Sequence, residues 1–328
     1  MLPKIVAIVI SFNRLQMVQR CVESLRAQTR KLDAILVVDS STKTEVREWL
    51  EAQPDVTLFH LDNIGPAGSM HCGMKRAFAE NFDWQWLFDD DVAVMPDALE
   101  RLLDGVAKRN LRILNCYSTR DADAARPSVG AILWRKDPND ILFGEKLLTT
   151  EQVYAHADAS GFIDTVGGLL YQGTLIAREV VAQTGLPRIE YYNRGHEVEH
   201  GLRLMRAGYH LYLYLPSRAI HPSSGTEYIK FFGKLYPTQI TPPAKRYFNI
   251  RNGIWIRREY YRGYPYLPYV ARRMLAALTM GVFVQPNQSL GERIKAGRII
   301  LRAVRDGLQP IQAVRGEGTA GFVESVVS

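Results

Sequence analysis

The chain has 328 residues and a net charge of +7, with 47% hydrophobic and 23% charged residues, an ordinary composition for one large globular domain or two small ones. Its three scattered cysteines, Cys21, Cys72 and Cys116, argue against a disulfide framework or a zinc–thiolate site and favour a reducing compartment. No apolar run reaches the roughly 18–20 residues that a membrane-spanning helix needs.

Strands and helices are predicted to alternate at short spacing in the N-terminal part. Buried strands are predicted in KIVAIVISF and DAILVVDSST, and further strands in VTLFHLD and WQWLFDDD. Helices are predicted in LQMVQRCVESLRAQT and TEVREWLEAQ, and a Gly-containing loop running into a helix in NIGPAGSMHCGMKRAFAE. Pro3 and Lys4 precede the first apolar run and no small-residue cleavage site follows it, which favours a buried strand over a signal peptide. The alternation predicts a doubly wound α/β sheet.

Three consecutive carboxylates, Asp89, Asp90 and Asp91, follow the fourth predicted strand. In doubly wound sheets ligands bind at the carboxyl ends of strands, where Asp39 and Asn63 are also predicted to lie. Adjacent carboxylates repel one another, so a positive partner is expected. Mg²⁺ or Mn²⁺ bridging to a diphosphate would supply it, since hard ions bind a few carboxylates and phosphate oxygens. The alternative is an acidic surface turn.

The pattern is mixed after Pro96. Strands are predicted in SVGAILWR, TVGGLLYQGTLIA and HLYLYLPSRAIHP, a short helix in EVVAQTG, closed by Gly185, and a longer helix in EVEHGLRLMRAGY, stopped by Gly208.

The segment YYNRGHEVEHGLRL places two carboxylates and two imidazoles at the start of that longer helix. Glu197 and Glu199 either stabilise the positive end of the helix or include a general base that deprotonates an acceptor hydroxyl. His196 and His200 have the i, i+4 spacing of a metal site, so a metalloprotease is a further alternative, but it gives the Asp cluster no purpose. His221 is either structural or completes a divalent coordination shell.

The C-terminal region is basic. Residues 1–235 carry 27 Lys and Arg against 29 Asp and Glu, whereas residues 236–328 carry 14 against 5. Helices are predicted in LPYVARRMLAALTMGVFV and LGERIKAGRIILRAVRDGL, either as ordinary packed helices with a solvated basic face or as helices lying on an anionic membrane. A nucleic-acid-binding tail is the alternative from another functional class, and it leaves the acidic strand ends unexplained. No nucleic-acid partner is therefore predicted.

The motifs together resemble family 2 glycosyltransferases with the GT-A fold. VAIVISFNR, ILVVDSST, DNIGPAGSMHCGMKRA and WLFDDDV stand in that family's order, followed by GHEVEHGLRLMRAGY, IHPSSG and KRYFNIRNGIWI. The chain is most similar to bacterial galactofuranosyltransferases that act on a polyprenyl-diphosphate-linked acceptor. The resemblance implies an α/β GT-A fold, a Rossmann-like mixed sheet flanked by helices, as a catalytic domain over residues 1–235. A basic, mostly helical C-terminal extension follows over residues 236–328.

The resemblance also implies the nucleotide-sugar site. In this sequence Phe12 and Arg14 would lie by the nucleotide, and Asp39 would bind uracil. Asn63, Gly65 and Gly68 would shape the nucleotide loop, with Asp90 nearer the ribose and the sugar.

For the chemistry, the resemblance implies a metal site, a base and an acceptor site. Asp89, Asp91 and His221 match the metal ligands for Mn²⁺ or Mg²⁺, and Glu197 matches the catalytic base. Candidates for acceptor binding are Trp134, Tyr192 and His196, although Trp134, Tyr192 and Trp255 are equally consistent with core packing.

The resemblance implies metal-dependent inverting transfer from a nucleotide-diphosphate sugar. UDP-galactofuranose is the expected donor, dTDP-rhamnose the alternative, and a polyprenyl-diphosphate-linked saccharide the expected acceptor. A nucleotidyltransferase would also use strand-end carboxylates, but no Gly-rich phosphate loop with Lys or Arg stands near the N-terminus. The expected location is the cytoplasm, peripherally on the inner face of the bacterial plasma membrane.

Overall fold

The computed structural model describes residues 2–119, 154–155, 157–165, 170–222, 226–231, 234–239, 242–260, 266–278 and 289–311. The chain forms two compact units. The first comprises Met1–Ile189 and Glu197–Ser223, and the second Glu190–His196 and Ser224–Ser328. The domain boundary predicted after residue 235 lies within a strand of the second unit and stays a prediction.

Seven elements alternate in the N-terminal part, as predicted. They are strand β1 (Ile5–Ser11), helix α1 (Leu15–Arg26), β2 (Ala34–Asp39), α2 (Thr44–Glu51), β3 (Val56–His60), α3 (Gly65–Ala79) and β4 (Trp84–Asp89). The four strands are parallel, in the order β3-β2-β1-β4. Parallel strands joined by helices confirm the predicted doubly wound arrangement in this half of the sheet.

Every residue of β1 is buried, and the two faces of the strand enter different cores. Ile5, Ala7 and Val9 join one hydrophobic cluster with α1, whereas Val6 and Ile8 join a second cluster with α3. The side chains alternate because successive residues of a strand point to opposite faces. The continuous apolar run KIVAIVISF therefore reflects a strand covered by helices on both sides.

The remaining strands make the sheet mixed. They are β5 (Ala93–Val94), β6 (Ile113–Thr119), β7 (Phe162–Thr165), β8 (Gln172–Ala177) and β9 (Leu211–Ile220), with helices α4 (Ala98–Arg109), α5 (Arg178–Thr184) and α6 (His196–Arg206). The order continues from β4 through β8, β6 and β9 to β5, with β7 on β9. β8 is antiparallel to β4 and β6, and β6 is parallel to β9. The expected mixed sheet flanked by helices is confirmed.

Most predicted elements of the middle segment are present. β8, α5, α6 and β9 correspond to predicted elements, and Gly185 (φ 78°) and Gly208 (φ 92°) follow the two helices with the positive φ that glycine adopts readily. The predicted strand SVGAILWR lies outside the described residues. The sequence analysis did not identify α4 or β6.

The strand register aligns the polar residues at the carboxyl ends of the parallel strands. Asp39 pairs with Ser11 on one side and with His60 on the other, and Asp89 pairs with Ile10. Asp39 and Asp89, two of the residues predicted to bind ligand, thus share one edge of the sheet.

The second unit contains a hairpin and three helices. The elements are β10 (Thr226–Phe231), β11 (Lys234–Gln239), α7 (Pro243–Tyr260), α8 (Tyr266–Leu278) and α9 (Leu290–Leu308). α8 and α9 were predicted, whereas α7 was not. The core of this unit includes Tyr247, Phe248 and Ile254 of α7 and Ile300 and Val304 of α9. In the part of the chain that the structure describes, no helix combines the length and the hydropathy needed to span a membrane.

Candidate active site

The acidic cluster begins at the last residue of β4. The Asp89 N–H donates to the Tyr171 carbonyl at 2.8 Å, and the Val92 N–H donates back to the Asp89 carbonyl at 3.2 Å, which closes a tight turn. Asp90, inside this turn, is fully buried. The burial of Asp90 does not fit the alternative of an acidic turn at the surface, although Asp89 and Asp91 are only half-buried.

Arg14, just before α1, provides positive charge to the cluster. Its Nε donates to Asp90 Oδ2 at 3.3 Å, its Nη2 contacts Asp90 Oδ1, and its Nη1 donates to Asp91 Oδ2 at 2.6 Å. The Phe12 N–H also donates to Asp90 Oδ2, at 3.3 Å. Phe12 and Arg14, both predicted to lie by the nucleotide, are thus joined directly to the acidic turn.

The three carboxyl groups differ strongly in pKa. Burial, followed by the charges of Asp91, Asp90 and Glu197, raises the pKa of Asp89 well above its usual value. Burial also raises the pKa of Asp90, to about 6, although Arg14 opposes the shift. Burial would raise the pKa of Asp91 too, but His221 and Arg14 outweigh it and lower the pKa to about 2. The raised pKa values of Asp89 and Asp90 reflect the cost of placing charged carboxylates together in a buried position, a cost that positive charge from a ligand would lower.

His221 follows β9 and reaches the same cluster. Its backbone N–H donates to the Thr119 carbonyl at the end of β6 at 2.8 Å. Its Nε2 lies 3.4 Å from Asp91 Oδ1, longer than a well-formed hydrogen bond. Carboxylate oxygens with one imidazole nitrogen form a donor set that suits Mn²⁺.

Among the described residues, no group of three or more His, Cys, Asp or Glu side chains is arranged to hold a metal ion on its own. The metal site predicted at Asp89, Asp91 and His221 therefore stays a prediction. In it a diphosphate would complete the coordination, because Mg²⁺ is usually bound by one or two carboxylates and substrate phosphates. His200, part of the HEVEH segment, instead places Nδ1 2.9 Å from the Tyr171 hydroxyl.

The two glutamates of the first turn of α6 have different surroundings. Glu199 is fully buried, and its Oε1 lies 3.3 Å from Arg188 Nε and 3.0 Å from Arg203 Nε. Glu197 is half-buried, and its charge raises the pKa of both Asp89 and Tyr171. Glu199 therefore belongs to a structural ion-pair network, whereas the charge of Glu197 acts on Asp89 of the acidic cluster.

Asp39, the predicted uracil-binding residue, is fixed by its neighbours. It is fully buried, its Oδ1 accepts from Ser41 Oγ at 2.6 Å, and its Oδ2 lies 3.1 Å from His60 Nδ1. Arg47 Nη2 contacts His60 Nε2. A guanidinium can only donate, so Nε2 accepts and Nδ1 carries the proton donated to Asp39.

The predicted nucleotide loop lies at the start of α3. Asn63 Oδ1 accepts from the Gly65 N–H at 3.0 Å, and Gly65 has a φ of 75°. A Cβ at Gly68 would lie 2.7 Å from the Ile64 side chain, so this first turn has no room for a larger residue. Ser40 Oγ and Ser69 Oγ, 3.0 Å apart, link the end of β2 to α3.

Three residues, Trp134, Tyr192 and His196, were predicted to bind the acceptor. Trp134 is outside the described residues. Tyr192 and His196, in the second unit, are 8% and 7% exposed, and Tyr192 stacks on Phe248 with a centroid distance of 4.9 Å. Trp255 is buried against Tyr191. Tyr192 and Trp255 pack as core residues, and a role for Trp134, Tyr192 or His196 in acceptor binding stays a prediction.

Several residues that contact the predicted site residues were not predicted from the sequence. His60 and Arg47 orient Asp39. Arg188 and Arg203 form ion pairs with Glu199. His60 stands at the carboxyl end of β3, a position that could have identified it. Arg203 lies at i+4 from Glu199, the helical spacing of an ion pair.

Comparisons with known proteins extend these observations. Residues 6–154 match the family model described as Glycosyl transferase family 2. Over 257 residues the chain is 30% identical to Galactofuranosyltransferase GlfT1 of Mycolicibacterium smegmatis, and the match covers 75% of this chain and 80% of the relative.

Two solved structures share the fold. One is a crystal structure of GalNAc-T7 with UDP, GalNAc and Mn²⁺ (TM-score 0.57, 15% identity), in which the match covers 95% of this chain and 57% of that chain. The other is the mannosyltransferase PcManGT from Pyrobaculum calidifontis in complex with GDP-Man and Mn²⁺ (TM-score 0.51, 13% identity), with 98% and 79% covered.

Glu199→Gln is expected to destabilise the protein. The substitution leaves two guanidiniums facing a neutral amide in a buried position, and breaking a buried ion pair typically costs about 3–5 kcal/mol. Thermal unfolding followed by circular dichroism would show the lowered midpoint. Glu197→Gln is the matched control and should not lower the midpoint, because it relieves repulsion with Asp89. Equal destabilisation by both substitutions would contradict the distinction between the two glutamates.

Proposed function

Because the chain belongs to glycosyltransferase family 2, we propose that it transfers galactofuranose from UDP-galactofuranose to a lipid-linked saccharide and inverts the anomeric configuration. The observation that carries the chemical part is the electrostatic coupling of Glu197 with Asp89 at one edge of the sheet. The donor is proposed from the similarity to Galactofuranosyltransferase GlfT1.

The acidic edge is proposed to serve the leaving group. Asp89, Asp91 and His221 would hold Mn²⁺ or Mg²⁺, which when bound offsets the negative charge that develops on the departing diphosphate. Arg14 keeps the carboxylates of Asp90 and Asp91 oriented and adds fixed positive charge beside them.

Nucleotide recognition is proposed to depend on Asp39. Its carboxylate would accept a hydrogen bond from the uracil ring, while Ser41 and His60 hold it in place. The loop of Asn63, Gly65 and Gly68 would lie against the nucleotide.

Glu197 is the proposed general base. The acceptor oxygen forms a bond to the anomeric carbon while the bond from that carbon to the diphosphate oxygen breaks on the opposite face. Glu197 takes the proton of the acceptor hydroxyl. One displacement inverts the configuration and needs no covalent enzyme intermediate, as in the geometric logic of inverting glycosidases.

We also propose that the C-terminal region holds the enzyme on an anionic membrane surface on the cytoplasmic side. Ile294, Leu301 and Leu308 of α9 are 50%, 54% and 38% exposed, and their spacing of seven residues places them on one stripe of the helix. Next to that stripe lie the exposed basic residues Lys295, Arg298 and Arg305. Adjacent apolar and basic stripes on an exposed helix suit a helix lying in the lipid interface. This surface would bring the enzyme to a polyprenyl-linked acceptor.

Glu197→Gln should lower kcat by about 10²–10⁴-fold, because glutamine keeps the size of the side chain but cannot accept the proton. Binding of UDP, measured by calorimetry, should remain. The assay follows UDP release from UDP-galactofuranose with a synthetic lipid-linked saccharide as acceptor.

A panel of nucleotide sugars, with linkage analysis of each product, belongs in the same experiment. Turnover of dTDP-rhamnose but not UDP-galactofuranose would assign the alternative donor. Normal turnover by Glu197→Gln would reject Glu197 as the base. Loss of turnover in Glu199→Gln would then identify the other glutamate, provided that thermal unfolding shows the variant to be folded at the assay temperature.

Asp91→Asn should weaken the binding of Mn²⁺ in the presence of UDP at least about tenfold, because it removes a ligand charge while preserving shape. Isothermal titration calorimetry measures this independently of turnover. Asp104→Asn on the exposed face of α4 is the matched control and should bind Mn²⁺ like the unmodified protein. Unchanged Mn²⁺ affinity in Asp91→Asn, or full activity of the unmodified protein in EDTA, would reject the metal assignment.

The membrane surface is tested by sedimentation with vesicles of phosphatidylcholine, with or without phosphatidylglycerol. Binding to the anionic vesicles is expected, with release by salt, since each basic residue near such a surface contributes about 1 kcal/mol. Ile294→Ser with Leu301→Ser should reduce binding, whereas Leu2→Ser, at a residue 80% exposed elsewhere, should not. Equal binding to neutral and anionic vesicles, or none to either, would reject the membrane role.

A further inference from the structure

The segment directly before α6 has an unusual backbone. Tyr192, Arg194 and Gly195 have φ values of 55°, 61° and 77°, so three of four consecutive residues are left-handed. For residues with a side chain this conformation costs about 1–3 kcal/mol each, so it persists only where the surrounding structure enforces it. The next residue, His196, begins α6, and Glu197 follows it. We name residues 191–196 the α6 entry turn.

Asn252 of α7, in the same unit as the α6 entry turn, holds this backbone in place. Its Nδ2 donates to the carbonyls of Tyr191 at 2.8 Å, Asn193 at 2.9 Å and Arg194 at 2.6 Å. Asn252 is fully buried. The two N–H groups of one carboxamide therefore serve three carbonyls within four residues, on both sides of left-handed Tyr192, with one N–H shared between two carbonyls.

Arg251 supports Asn252 and reaches the preceding carbonyls. Its Nε donates to Asn252 Oδ1 at 2.8 Å, which fixes the orientation of the amide. Its Nη2 donates to the carbonyls of Glu190 at 2.8 Å and Tyr191 at 3.3 Å.

The Arg251 guanidinium is 2% exposed and lies over the rings of Trp255 and Phe248, with centroid distances of 4.2 and 4.8 Å. Desolvation of a guanidinium is expensive, so its retention here requires strong compensation from carbonyl oxygens and ring faces. A turn at the protein surface could adopt the same backbone conformation without the cost of burying a cation. The two side chains therefore give this backbone a single conformation at considerable energetic cost.

We propose that Arg251 and Asn252 are positioning residues for Glu197, acting through the α6 entry turn. The inference rests on the proposed role of Glu197 as general base. The φ and ψ angles immediately before a helix set the direction of its first turn, and Glu197 is the second residue of α6. A displacement of about 1 Å in a catalytic group can cost 10²-fold in rate. The alternative is that the pair only stabilises the fold of its unit.

Asn252→Asp tests the proposal with little change in size. The carboxylate cannot donate and would face three carbonyl oxygens, so the α6 entry turn should lose its conformation. We expect kcat to fall about 10²-fold while the affinity for UDP with Mn²⁺ stays within about twofold. Asn249→Asp, the same substitution at an exposed position of the same helix, is the matched control and should leave kcat unchanged.

Combination with Glu197→Gln separates positioning from stability. If Asn252 acts through Glu197, Asn252→Asp should cause no further loss of kcat in a Glu197→Gln background. Multiplied losses in the double variant, or normal kcat in Asn252→Asp while Glu197→Gln is inactive, would overturn the proposal and leave the base assignment intact. Normal kcat in Glu197→Gln itself would identify failure of the base assignment, and the positioning proposal would fail with it.

A second variant covers the case in which Asn252→Asp does not fold, as judged by thermal unfolding. Asn252→Ser retains one donor and introduces no charge. Asn252→Ser should lower kcat by less than the roughly 10²-fold expected for Asn252→Asp. In the Glu197→Gln background it should cause no further loss of kcat. Normal kcat in Asn252→Ser, or losses that multiply, would count against positioning.

Discussion

Repulsion among three consecutive carboxylates at the end of β4 is the constraint around which the first unit is organised. Asp90 is fully buried and has a pKa of about 6, while Asp91 is held near 2 by His221 and Arg14 against the opposing effect of burial. Arg14 can approach because β1 pairs directly with β4 and ends beside it. The fold thus places three carboxyl groups at one edge of the sheet and supplies counter-charge to them through Arg14.

The two glutamates at the start of α6 differ because their surroundings differ. Both stand in one helical turn. Glu199 forms ion pairs with Arg188 and Arg203, whereas the charge of Glu197 acts on Asp89. Two carboxylates two residues apart point to different sides of a helix, so one can stabilise the structure while the other is available for chemistry. Residue type alone would not separate these roles, because burial and neighbours decide them.

The sequence allowed prediction of the features that repeat along the chain. β1 and β2 were predictable because a continuous apolar run is typical of a strand covered on both faces, and β3 and β4 followed from the alternation with helices. The register of the parallel strands then brings Asp39 and Asp89 to one edge. α7 could not be predicted from periodicity, since Tyr247, Phe248, Ile250, Ile254 and Trp255 are buried on more than one side of the helix and leave no clear polar face. His60, Arg47 and Asn252 were missed because each acts through a partner 13 to 61 residues away. Such pairings depend on tertiary contacts that no local pattern records.

The α6 entry turn also has a consequence for how this chain could be recombined. Glu190–His196 lies between segments of the first unit in sequence, but its compact surroundings belong to the second unit. The two units are therefore not consecutive blocks of the gene. A chimaera that exchanged only residues 224–328 with a relative would separate Asn252 from the seven residues that it helps to hold. Functional exchange would require both segments to be inherited together, so variation in the C-terminal helices and in the peptide before Glu197 is expected to be coupled through evolution.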